Sequence, residues 1–256
     1  DHGGFFDEEA RFIDESRDIV HFHDHAIDLL FILEYAIEAN NQELIEFVRK
    51  GYEFGKSNGS TTVGFFPEHI EKLPKDYYPR VQRGCLCSET CEVADMIALA
   101  LKLTRIGVGD YLDDADRWIR NQFAENQLTR IDWVDRIPKP QKADWDAYRQ
   151  ETAFYETHDR VAERNLGAFA GWPSANDWTI LAGIQHCCTG NGARTIYYVW
   201  QNILHLENTT LKVNLLLNRA SPWVDVNSHI PYQGKVDLTI KKSFPKILVR
   251  VPEWIK

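Results

Sequence analysis

Two pairs of apolar segments at helical spacing fill the first half of the chain and limit the folds open to it. In residues 24–55, Ala26, Ile27, Leu29, Leu30 and Leu33 recur on one face. Leu44, Ile45, Phe47 and Val48 do so again after the turn-like Ala39-Asn40-Asn41. The spacing predicts a helical hairpin. A second pair follows, apolar from Val93 to Ile106, broken at Gly107-Val108-Gly109, then resuming from Tyr111 to Phe123 with Leu112, Ala115, Trp118 and Ile119 inward. A helix pair cannot bury its apolar face alone, so repeated pairs imply a barrel or a solenoid.

The remaining pattern is less regular. Residues 129–165 are polar and aromatic, with Pro138 and Pro140, and read as a long excursion at a barrel mouth. Helical spacing returns from 176 to 204, with an interruption expected at Thr189-Gly190-Asn191-Gly192. After His205 the period changes to two, in 211–215, 236–240 and 247–251, which predicts strands. The fold class expected is therefore mainly α: part of an (α/α)6-type barrel over residues 1–205, then the start of a β-sandwich over residues 206–256.

Composition excludes some functions. A formal charge of −9 without any Lys/Arg run gives no surface for tracking phosphates, so no nucleic-acid partner is expected. No apolar run approaches the length of a bilayer span, so no membrane partner is expected either. The chain begins Asp1-His2-Gly3-Gly4 and stops just after a strand-like run, which suggests a piece of a longer protein. Its compartment is not fixed by sequence; a bacterial cytoplasm or periplasm is the expected setting.

The five cysteines fall in two tight groups, Cys85/Cys87/Cys91 and Cys187/Cys188. Near-adjacent thiols make poor disulfide frameworks and good metal sites. Glu89 and Cys91 meeting Cys187 and Cys188 would complete a four-ligand zinc site, and spare thiols remain the plain alternative. Ser88-Glu89-Thr90-Cys91 before an apolar helix, with Cys187-Cys188-x-x-Asn191-x-Ala193-Arg194, resembles the paired metal-ligand motifs of glycoside hydrolase family 127, the β-L-arabinofuranosidases. Val213-Asn214-Leu215, Tyr232-x-Gly234-x-Val236 and Val249-Arg250-Val251-Pro252-x-Trp254 are similar to that family's entry into its β-sandwich.

The resemblance implies a retaining glycosidase with zinc as cofactor, held by Glu89, Cys91, Cys187 and Cys188, with Cys187 as nucleophile and a carbohydrate as substrate. A homodimer through the β part is a further expectation. The family's acid/base glutamate follows a Gly-Ser-Thr-x-x-Gly segment; here Gly59-Ser60-Thr61-Thr62-Val63-Gly64 is followed by Phe65. Glu68 is the nearest substitute for the proton donor, with Glu71 next, and the sequence reads as a divergent branch. His25, and with it His23, stand where the resemblance puts substrate contacts; His21, His23 and His25 together would share one face of an extended segment and also suit a metal. His186 is a candidate for supporting the cysteine pair. Trp133, Trp145, Tyr148, Tyr155 and Trp172 could stack on a sugar or simply pack. A closed four-ligand shell would by itself suggest a structural zinc in a non-catalytic carbohydrate-binding protein, and the Cys85/Cys87/Cys91 set leaves a redox or metal-sensing role open.

Overall fold

A computed structural model describes residues 6–11, 21–68, 70, 88–136, 159–173 and 183–255. The hairpin forms as expected. Helix α1 (Phe22–Glu38) buries Ala26, Leu29, Leu30 and Leu33. The chain turns at Asn40 and enters α2 (Gln42–Ser57), capped by the Asn41 side chain, which accepts the Leu44 N–H at 3.1 Å. Helix α3 (Thr90–Arg105) is buried on almost every face, because α1, α2, α4 (Leu112–Trp118) and α6 (His186–Ile203) all pack against it. A π-helical turn, Ile119–Phe123, continues α4, and a single turn, α5 (Val161–Arg164), lies beyond.

No closed ring of helices forms among the described residues; they make a helical layer with α3 at its centre. The expected break at 189–192 is absent. Helix α6 runs through it, because Gly192 serves close approach: a Cβ there would stand 2.5 Å from the Phe169 ring. Strand begins at once after α6. β1 (Leu204–Glu207) pairs antiparallel with β2 (Thr210–Val213), and β2 pairs parallel with β5 (Lys246–Val249). β3 (Val224–Ser228) and β4 (Val236–Ile240) form a second antiparallel ladder. Leu204, Leu211, Val213, Val224 and Val226 join the helical residues in one buried cluster.

The segment after β5 folds back on α4. Arg250 meets Asp113 at 2.5 Å, and Trp254 Nε1 donates to the wholly buried Asp116 at 2.9 Å. Arg120 reaches the other oxygen of Asp116 at 3.0 Å.

The loop 59–65 is equally constrained. Gly64 has φ +78°, and a Cβ there would lie 2.6 Å from Trp118, whose indole N–H is fixed on Thr61 O at 2.9 Å. Gly64→Ala combines a disfavoured left-handed backbone with a clash against an immobile ring. It should cost more than about 1 kcal/mol in chemical denaturation; an unchanged midpoint would show that this loop yields.

Candidate metal and catalytic site

The cysteine motifs meet because two helices begin at the same place. Glu89 is the residue before α3 and Cys91 lies in its first turn, while His186, Cys187 and Cys188 open α6. Glu92 steadies the start of α3, accepting the Glu89 N–H at 2.9 Å and the Ser88 hydroxyl at 3.1 Å. Residues 168–173 thread between the two starts. Thr90 Oγ1 donates to Ala170 O at 2.7 Å, Ser88 N–H to Pro173 O at 3.0 Å, and the Cys188 thiol faces Gly171 O at 3.5 Å.

Cys91 and Cys188 are wholly buried, with sulfurs 3.4 Å apart; Cys187 is half-buried, 3.9 Å from Cys188. All three sulfurs lie within 4.8 Å of one another, and none is in a disulfide. Tetrahedral thiolates at the usual zinc–sulfur length stand about 3.8 Å apart, so the spacing suits such an ion. The thiols are electrostatically linked. Cys188 accepts a hydrogen bond from Cys91, which holds its pKa below the ordinary thiol value. That same bond pushes Cys91 up, and burial followed by the charge on Cys188 raises Cys187. Asn191 Nδ2 donates to Cys91 Sγ at 3.1 Å.

Beside the thiols lies a second group. One ligand atom each from His21, Glu68 and Glu89 lies within 4.8 Å of the others. His21 Nε2 is 3.3 Å from Glu89 Oε2, and its Nδ1 is 3.4 Å from Asp24. Burial opposes charge on His21, but the two carboxylates outweigh it and raise its pKa to about 10. Trp172 Nε1 donates to Glu68 Oε1 at 3.2 Å. Glu89 thus faces His21 and Glu68, while its charge also reaches Cys187 and Cys188.

The three histidines do not share a face. The helix begins at Phe22, so His23 and His25 point about 160° apart. His23 Nδ1 bonds Asp95 at 2.7 Å, and Arg194 holds the other oxygen of Asp95 at 2.5 Å. His25 is wholly buried, bonded through Nε2 to Gly51 O at 2.9 Å and ringed by Phe6, Phe22 and Phe54. The structure therefore does not bring His25 to the thiols. His186 is exposed at the start of α6. Phe65 is nearly buried, its carbonyl bonded to Ser60 N–H at 2.7 Å. Cys85, Cys87, Glu71, Trp145, Tyr148 and Tyr155 lie outside the described residues.

Asp95 was missed by the sequence reading, although an aspartate inside the apolar run 93–103 was a usable signal: a buried carboxylate needs partners, and here it ties α1 to α6 through α3.

No protein-family model matches the chain, and no curated protein does. Among solved structures, it is similar to a GH127 β-L-arabinofuranosidase from Geobacillus stearothermophilus T6, with a TM-score of 0.55 at 15% identity. The match covers 93% of this chain and 36% of that one, so the chain spans about a third of its neighbour's length. The likeness is one of fold: a helix-rich body with a small sheet region at its C-terminal end.

Proposed function

We propose that this chain carries the thiolate site of a retaining glycoside hydrolase acting on a furanoside, within part of an (α/α) barrel that leads into a β-sandwich. The observation that carries the reading is the meeting of three thiols from two helix starts at zinc-like spacing, with a carboxylate pair alongside. The ligands would be Cys91, Cys187, Cys188 and Glu89; zinc bound there supplies positive charge that keeps the thiols deprotonated near neutral pH.

Cys187 is the nucleophile in this reading, since it alone of the three is partly open to solvent. Its sulfur lone pair forms a bond to the anomeric carbon as the glycosidic bond breaks, and the leaving oxygen takes a proton from Glu68. In the second half, Glu68 takes a proton from water, the water oxygen bonds the anomeric carbon, and the carbon–sulfur bond breaks to restore the thiolate. In this reading His21, beside Glu89, and His23, held by Asp95, contact sugar hydroxyls. Phe65 favours a second reading, a carbohydrate-binding protein with a structural zinc, because it occupies the position where the resemblance expects a carboxylic acid.

The two readings part on Glu68→Gln. As the proton donor, Glu68 is required only when the leaving group needs protonation. The variant should slow an alkyl arabinofuranoside by about a hundredfold or more while sparing an activated aryl one, and added azide should partly restore the second step. Equal rates of wild type and variant on the alkyl substrate would remove Glu68. Binding of sugar without turnover of either substrate would favour the second reading.

A further inference from the structure

A second cleft lies at the opposite end of the same two helices. The last turns of α3 and α6 and the start of β1 enclose about 290 Å3, bounded by Lys102, Arg105, Tyr198, Gln201 and His205. A sixteen-residue helix is about 24 Å long, so this space is well separated from Cys91 at the other end of α3. The volume suits a single sugar ring.

Its charges are unbalanced. Lys102 lies over the Tyr198 ring, 4.9 Å from its centre, and is paired with Glu34. Arg105 is exposed and has no hydrogen bond or ion pair among the described residues, and the His205 imidazole has no hydrogen-bond partner among them either. Glu207, the acid nearest His205 in the chain, is taken by Lys212 at 2.6 Å. Burial, then Arg105 and Lys212, hold His205 below the ordinary imidazole value despite Glu207. Basic residues often sit at helix C-termini to meet the dipole. That accounts for Lys102 and Arg105 in the last turn of α3, but not for a cavity whose imidazole has no hydrogen-bond partner among the described residues.

We infer that this cleft binds a small anionic sugar, through its carboxylate or phosphate group. The Arg105 fork is the main contact, His205 the second donor, and Ile37, Leu101 and Ile106 the apolar wall for the sugar. The inference is independent of the glycosidase reading, because none of these residues belongs to the thiolate site.

Calorimetric titration of the protein with glucuronate, glucose 6-phosphate, inorganic phosphate and glucose tests it. At least one sugar anion should bind while glucose does not, and glucuronate against the two phosphates identifies the anionic group. Arg105→Gln should weaken binding by about tenfold or more, the loss of one charge-assisted contact. His205→Gln should weaken it less. Circular dichroism should show both variants folded, since Arg105 is exposed and His205 half-buried. Absence of binding at millimolar ligand, equal binding of glucose, or unchanged affinity in both variants would overturn the inference.

Discussion

Cys187→Ser should abolish turnover, by about a thousandfold or more, while leaving the fold and most of the bound metal in place. Cys188→Ser should lose the metal as well. The contrast follows from where the sulfurs sit. Cys187 is half-buried, and in the proposed reading it is the sulfur that meets the substrate; Cys188 is wholly buried and receives the Cys91 hydrogen bond, and in the same reading it serves as a ligand. Metal content by mass spectrometry, melting temperature and single-turnover rates on an aryl arabinofuranoside give the three readouts. Equal metal loss in both variants together with residual turnover in Cys187→Ser would reverse the roles. Chelation of the wild type should reproduce the Cys188→Ser behaviour, because without a metal the Cys187 thiol is held above its ordinary pKa by burial and by the charge on Cys188.

Asp95→Ala should be among the most destabilising single changes in the helical layer, by about 3 to 5 kcal/mol. Asp95 has no solvent exposure and joins His23 on one side to Arg194 on the other, so truncation leaves the Arg194 guanidinium and the His23 imidazole, both largely buried, without their shared acceptor. Urea unfolding measures this directly. A cost under about 1 kcal/mol would mean that water replaces the carboxylate.

The same contact gives stability a pH dependence. Burial and neighbouring His21 oppose charge on His23, but the bond to Asp95, aided by Glu89, raises its pKa. A raised folded-state pKa stabilises fully below the free-histidine value of about 6.5 and is lost as pH rises through the folded value. Wild type should therefore lose stability as pH rises above about 6.5, and Asp95→Asn should show a shallower slope, that of His21 remaining.

Much of this was legible in the residues. The α1–α2 hairpin was written in Ala26, Leu29, Leu30 and Leu33 and in the Asn41 cap, since both follow from local spacing. The cysteine motifs were visible because two near-adjacent sets have few uses. Other features depended on contacts that no local pattern records. Gly190 and Gly192 suggested a break, yet one serves tight packing on Phe169 and both continue α6. The His21, His23 and His25 alternation suggested a shared face until the helix was found to begin at Phe22. β1 was missed because no glycine or proline separates it from α6, and β3 because its alternation is too short to register. The grouping of His21 and Glu68 with Glu89 joins distant segments, and nothing in the order of residues announces it.

The clasp of Arg250 and Trp254 on Asp113 and Asp116 bears on the order of assembly. During synthesis α4 emerges long before the segment that neutralises its buried aspartate. Until residues 250–254 leave the ribosome, Asp116 lacks the Trp254 N–H and, among the described residues, has Arg120 as its cationic neighbour, itself without the indole it stacks on. The helical layer therefore cannot settle fully from its N-terminal end; its last helix-to-core contacts wait for the end of the strand region, making the sheet a participant in completing the helices that precede it.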